Sequence, residues 1–214
     1  MHKNNIIGWV GLGVMGEPMC GHLLDAGYQL AIYSRTRDKA CHLVDAGARW
    51  CDSPSVLTEL CDVIFTMVGT GDEVRDVYFS ERGLFQVEIA GKVFIDMGTT
   101  APALTAEITS YADGHGAACI DAPVSGGDVG ARNASLSIMA GGQAAVIDKV
   151  KPLFDCLGKV QHMGDEGSGQ YTKMCNQITV AGTMIGVCEA LIYAQRAGLD
   201  AEKMIAVVSR GAAG

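Results

Sequence analysis

Short apolar runs, each followed by a stretch with apolar residues at helical spacing, recur along most of the chain. The runs Ile6–Val10 (IIGWV), Gln29–Tyr33 (QLAIY), Asp62–Val68 (DVIFTMV), Lys92–Met97 (KVFIDM) and Ala117–Ala122 (AACIDA) read as strands. Helical patterns cover Glu17–Ala26, Asp38–Gly47, Glu73–Phe79 and residues 101–113. Ser53-Pro54 reads as an N-cap followed by proline at the first helical position, opening a short helix to Leu60. DVIFTMV is apolar nearly throughout, as a strand covered on both faces requires. Strand and helix alternating through short loops predict right-handed crossovers and therefore a parallel sheet. Leu136–Ala140, Gln143–Cys156 and Lys159–Met163 add strand, helix and strand, and extend the sheet on one edge with mixed orientation open.

The rhythm changes at Gly164. Gly169–Ala197 is one long helical stretch without proline, stopped at Gly198, and Asp200 opens a further helix. The expected architecture is a doubly wound, mostly parallel α/β sheet over residues 1–165, followed over residues 166–214 by a long helix and the start of an all-α unit. The second part is too short to build a core alone. It is expected to be incomplete or to pack on another chain, which makes a homo-oligomer the expected state.

Between the first strand and the first helix lies Gly11-Leu12-Gly13-Val14-Met15-Gly16, the spacing G-x-G-x-x-G. The first glycine allows the sharp turn, the second lets a pyrophosphate approach the backbone, and the third lets helix and strand pack closely. The helix N-terminus offers free N–H groups to the phosphates. This context predicts a Rossmann-type dinucleotide site. The second strand ends in Ser34-Arg35-Thr36-Arg37, with Arg35 lying 19 residues beyond Gly16. An acidic residue in this region would bind the ribose 2′-hydroxyl of NAD; two arginines and two hydroxyls suit a 2′-phosphate. NADP(H) is therefore expected, with NAD(H) still open.

Charge and cysteine content exclude more than they assign. The net charge of −8 has no basic block to offset it, which argues against a nucleic-acid partner. None of the eight cysteines forms C-x-x-C, and the histidines lie apart, so no metal site is expected. The cysteines read as small buried hydrophobes of a reducing compartment. No signal peptide fits MHKNNIIGWVGLG, and no uninterrupted apolar run reaches spanning length, so a cytoplasmic protein without a membrane partner is expected.

Two further stretches carry chemistry. Asp121-Ala122-Pro123-Val124-Ser125-Gly126-Gly127 follows a strand and offers one hydroxyl and exposed N–H groups, a nest able to hold a carboxylate. In Gly167–Gln177 (GSGQYTKMCNQ), Lys173 has Asn176 at i+3 and Gln177 at i+4, on one helical face. Partial burial would lower the lysine toward the range of a general acid or base, with the amides orienting a substrate. Taken singly, the first reads more readily as a plain Gly-rich turn and the second as a snorkelling lysine. Ser125 has no His and Asp at a recognisable spacing for a hydrolase triad.

Together, GLGVMGEPM (11–19), YSRTRDKA (33–40), DMGTT (96–100), DAPVSGG (121–127) and GSGQYTKMCNQ (167–177) resemble the β-hydroxyacid dehydrogenase family. The resemblance implies Lys173 as catalytic acid/base, with Ser125, Gly126 and Gly127 on the substrate carboxylate. It implies Asn176 and Gln177 as substrate-positioning residues, and Val68, Gly69 and Thr99 as lining for the nicotinamide half. The implied reaction is hydride transfer between NADP(H) or NAD(H) and a small anionic β-hydroxyacid or semialdehyde. Ser34 stands where the family's turn has Asn, and the family's second substrate-site lysine, which lies further along its helical domain, has no counterpart here. Three alternatives remain. A decarboxylating enzyme of the 6-phosphogluconate type needs a cationic phosphate site not found in these residues. An imine reductase on the same scaffold has no need of Lys173. The third is a non-catalytic nucleotide-sensing module.

Overall fold

In the computed structural model, which describes residues 5–212, the chain begins with strand β1 (Ile6–Val10), helix α1 (Gly16–Asp25) and strand β2 (Gln29–Tyr33). There follow a 3₁₀ turn (Arg37–Ala40), α2 (Cys41–Asp45), β3 (Arg49–Trp50), α3 (Pro54–Leu60), β4 (Val63–Thr66), α4 (Gly71–Phe79), a second 3₁₀ turn (Leu84–Gln86) and β5 (Val93–Asp96). Next come α5 (Pro102–Gly114), β6 (Ala118–Asp121), β7 (Val124–Ser125), α6 (Gly127–Arg132), β8 (Leu136–Gly141), α7 (Ala144–Phe154) and β9 (Gly158–Gly164). The long helix α8 (Ser168–Arg196) and α9 (Ala201–Val208) complete it. The described residues divide into two compact units, with the division between Lys173 and Met174.

The strands form one sheet in the order β3-β2-β1-β4-β5-β6-β8-β7, with β9 on β8. From β3 to β6 every pair is parallel, whereas β8 runs antiparallel to β6 and β7 and β9 runs parallel to β8. The chain winds from β1 outward through β2, then returns to β4 on the other side. The resulting switch point lies between the carboxyl ends of β1 and β4, where such sheets bind ligands.

Alternate side chains of the central strands feed two cores. Ile7, Trp9, Phe65 and Ile95 pack with Met19 and Leu23 of α1 and with Ile147, Val150 and Phe154 of α7. Val10, Ile64 and Phe94 face the opposite way, onto Leu57 of α3, Val74 and Tyr78 of α4, and Leu104 and Ile108 of α5. This two-sided burial explains why the strands read as apolar runs and not as alternating patterns. Phe65 is central to the first core: its ring stacks on Trp9 at 5.2 Å and meets Phe154 edge-on at 6.2 Å.

Three details depart from the sequence expectation. The helix expected over Asp38–Gly47 starts as a 3₁₀ turn and becomes α-helical only at Cys41. Two short strands, β3 and β7, are too brief to leave a periodic signal. Helix α6 (GDVGAR) contains two glycines, which weaken helix propensity, so the sequence pattern does not predict it. The Ser53 cap is present, its Oγ accepting from the Val56 N–H at 3.2 Å.

In the second unit, Asp200 caps α9 by accepting from the N–H groups of Glu202 and Lys203. Helix α8 is, among the described residues, the one helix long and apolar enough by length and composition to cross a membrane. Its exposed residues include Ile178, Met184, Ile185, Ile192 and Tyr193.

Replacing Phe65 with alanine removes an aromatic ring that is 0% exposed. We expect Phe65→Ala to lower the unfolding free energy by about 3–5 kcal/mol, read from chemical denaturation.

Candidate active site

The turn after β1 is built from close backbone contacts. Gly11 has φ +98°, and a Cβ there would come within 2.3 Å of the Met67 carbonyl oxygen. A Cβ on Gly16 would lie 2.1 Å from the Gly11 oxygen, so this residue sets the approach of α1 to the strand. Gly13 differs: a Cβ there would meet nothing within 4 Å. The open space over Gly13 belongs to a cleft of about 810 Å³ at the switch point. Gly11, Leu12, Gly13, Ser34, Arg35, Thr36, Val68 and Gly69 all line it. The cleft thus has a bare glycine backbone and a cationic turn on its walls, which fit a dinucleotide's pyrophosphate and adenosine ribose.

Other residues singled out by the sequence lie elsewhere. Val14, Met15 and Gly16 do not line the cleft; Val14 is exposed and Gly16 opens α1. Thr99 is exposed on the loop after β5, outside the cleft lining. The Arg37 guanidinium stacks over Trp50, 5.6 Å from the ring centroid, and also does not line the cleft. Lys39, Asp72 and Glu73 do line it and were not anticipated. The Thr70-x-x-Glu73 spacing of a capping box was the available signal for Glu73.

Farther along the same carboxyl edge, two buried aspartates organise the loops after β5 and β6. Asp96 accepts from Thr66 Oγ1 at 3.0 Å, Thr100 Oγ1 at 2.5 Å and the Gly98 N–H at 3.0 Å. Asp121 accepts from the N–H groups of Gly167 (2.6 Å) and Gln170 (2.8 Å) as α8 begins. Burial pushes both carboxyls above the usual carboxylate range, and these hydrogen bonds oppose it. Gln170, fully buried, donates to the Gly98 carbonyl at 3.0 Å and accepts from the Thr100 N–H at 3.1 Å. Gly169 permits this approach, since a Cβ there would fall 2.3 Å from the Met139 oxygen and 2.6 Å from the Asp121 oxygen.

The first turns of α8, so anchored, carry Lys173 to the loop after β6. Its Nζ donates to the Val124 carbonyl at 2.8 Å. Val124 immediately precedes Ser125, Gly126 and Gly127, and both glycines have positive φ (+133° and +62°). Partial burial lowers the Lys173 amine from its ordinary value. Asn176 and Gln177 continue along α8 but belong to the second compact unit, where Asn176 Nδ2 donates to Gln177 Oε1 at 2.9 Å. No group of three or more metal-ligating side chains occurs among the described residues.

A glycine turn at the switch point of a doubly wound sheet is the arrangement of a dinucleotide-binding domain. Residues 6–179 match the family described as the NAD binding domain of 6-phosphogluconate dehydrogenase. Residues 167–214 match the NAD-binding region of NADP-dependent 3-hydroxyisobutyrate dehydrogenase. The chain belongs to the β-hydroxyacid dehydrogenase family. It is 48% identical over 213 residues to the Arabidopsis thaliana protein named probable 3-hydroxyisobutyrate dehydrogenase-like 1, covering 99% of this chain and 64% of that one. The 2-hydroxy-3-oxopropionate reductase of Escherichia coli (strain K12) is 41% identical, over 91% of this chain and 66% of its own. A solved structure of Mycobacterium tuberculosis 3-hydroxyisobutyrate dehydrogenase with L-serine superposes with a TM-score of 0.87 at 31% identity, covering 98% of this chain and 72% of that one. The chain therefore spans about two thirds of the length of these relatives.

Replacing Asp121 by asparagine leaves one carbonyl oxygen where two carboxylate oxygens accept from Gly167 and Gln170. We expect Asp121→Asn to cost about 1–3 kcal/mol of stability. Amide exchange at Gly167 and Gln170 should accelerate more than exchange in β1.

Proposed function

We propose that this protein reduces a small semialdehyde to its β-hydroxyacid, and catalyses the reverse oxidation, with NADP(H) as the preferred cofactor and Lys173 as the general acid/base. The observation that carries this reading is the Lys173 Nζ to Val124 carbonyl hydrogen bond at 2.8 Å. It holds a partly desolvated amine beside a loop with a hydroxyl and two glycine N–H groups, on the carboxyl edge that also bears the dinucleotide cleft. The names of the relatives support the substrate class, and Arg35 in the cleft supports a 2′-phosphate.

Bound NADPH would supply the hydride. The protein's share is positioning and proton transfer. Gly11 and Gly13 admit the pyrophosphate, while Ser34, Arg35 and Thr36 bind the 2′-phosphate. Val68 and Gly69 border the nicotinamide half. Ser125 Oγ and the N–H groups of Gly126 and Gly127 hold the substrate carboxylate. Lys173 donates its proton to the carbonyl oxygen in reduction and accepts the hydroxyl proton in oxidation. The exposed apolar residues of α8 are read as surface covered by a second copy in a homo-oligomer.

Lys173→Ala should lower reductive kcat by about 10²–10⁴-fold while leaving cofactor affinity nearly unchanged. The assays are NADPH oxidation against tartronate semialdehyde, succinic semialdehyde and glyoxylate, and NADP⁺ reduction with 3-hydroxyisobutyrate. An alanine variant with undiminished kcat would exclude this role. The pH dependence follows from the lysine's direction of shift. Reduction uses the ammonium form, so its rate falls as pH rises through the Lys173 pKa. Burial sets that pKa below the ordinary lysine value, so the fall begins earlier than a free lysine would give. Oxidation uses the free amine and rises through the same pKa.

A further inference from the structure

The NADP(H) reading rests on Arg35 meeting a 2′-phosphate. In the structure the guanidinium already has a partner: its Nη2 forms an ion pair with Glu73 Oε1. Glu73 is held firmly. Its Oε2 accepts from the N–H groups of Gly69 (2.9 Å) and Thr70 (3.1 Å), while its own N–H donates to Thr70 Oγ1 at 3.3 Å. This is the capping box that starts α4. The Arg35 side chain is 74% exposed, that of Glu73 only 27%. The arginine is therefore the freer partner and the carboxylate the fixed one. Hydrogen bonding from Gly69, together with Arg35, keeps the Glu73 carboxyl below the usual range, so it stays ionised at neutral pH. Both residues line the cleft beside Gly11, Gly13, Ser34 and Thr36, where Lys39, Arg82, Asp72, Asp76 and Glu81 are the other charged groups. Arg37, the second arginine of the turn, rests on Trp50.

We propose that Glu73 is a specificity-determining residue of the cofactor cleft: its fixed carboxylate competes with the 2′-phosphate for Arg35 and repels that phosphate, narrowing the preference for NADP(H) over NAD(H). This rests on the proposed role of Arg35. A 2′-phosphate must draw the guanidinium from an ion pair and then sit near a negative charge, whereas the 2′-hydroxyl of NAD meets neither penalty. The same carboxylate begins a helix, so the charge is present whichever cofactor binds.

The test compares dissociation constants of NADP⁺ and NAD⁺, by titration calorimetry at low ionic strength, for the wild type, E73Q, E73A, R35A and the E73Q/R35A double variant. Glutamine keeps an oxygen able to accept from Gly69 and Thr70, and so removes the charge while preserving the cap. E73Q should bind NADP⁺ about five- to tenfold more tightly, with NAD⁺ unchanged. The gain should shrink with added salt and fall, in the R35A background, to the smaller part that direct repulsion of the phosphate contributes. E73A should show the same NADP⁺-selective gain with a lower Tm, which separates the electrostatic role from the capping role. An R35A variant that keeps full NADP⁺ affinity would remove the Arg35 reading and this proposal together. If R35A selectively weakens NADP⁺ but E73Q shifts both cofactors equally, or weakens NADP⁺ alone, the Arg35 reading stands and the proposal for Glu73 is overturned.

Discussion

Asp121 stands at the carboxyl end of β6 with one oxygen on the Gly167 N–H and the other on that of Gln170. A carboxylate buried this far is costly unless charge-assisted hydrogen bonds replace its water. The start of α8 offers both unsatisfied N–H groups and the positive end of the helix dipole. Strand end and helix start therefore solve each other's problem. Gln170 then ties the same turn to the loop after β5, and the missing side chain of Gly169 lets the backbones approach. The position of Lys173, one turn further on, follows from these contacts and from its own bond to Val124.

The second organising constraint is topological. The crossovers place β2 on one side of β1 and β4 on the other, which leaves a crevice at their carboxyl ends. Gly11 shapes its floor through a close backbone contact and Gly16 sets the approach of α1, while Gly13 leaves the crevice open. The antiparallel return of β8 against β6 and β7 adds the edge on which the Ser125–Gly127 loop lies. Cofactor cleft and lysine thus share one edge of a single sheet, although their residues are widely separated along the chain.

At Glu73 a structural requirement and a binding requirement meet in one side chain. The capping box calls for an acceptor at this position, and an acidic residue also suits the first turn of a helix. Because α4 starts at the switch point, that acceptor necessarily faces the cleft. Its charge falls on Arg35 because β2 ends beside it, a neighbourhood that sequence separation conceals.

Much of this was legible in the residues themselves. The two-faced burial of parallel strands leaves apolar runs, and so IIGWV, QLAIY and VFID announce their strands; the glycine turn, the Ser53 cap and the long helix carry local signals of the same kind. Lys173 and the Ser125–Gly127 loop could be singled out because each pairs an unusual residue type with a recognisable spacing. What local pattern could not supply was partnership. Two-residue strands, a helix with two glycines, the stacking of Arg37 on Trp50, the capture of Arg35 by Glu73 and the anchoring of α8 by Asp121 all depend on contacts between distant segments. Periodicity, propensity and turn chemistry act over a few residues, and the sequence determined the elements through them. Only the tertiary structure decided which charges face each other, because that depends on where the crossovers bring the strand ends together.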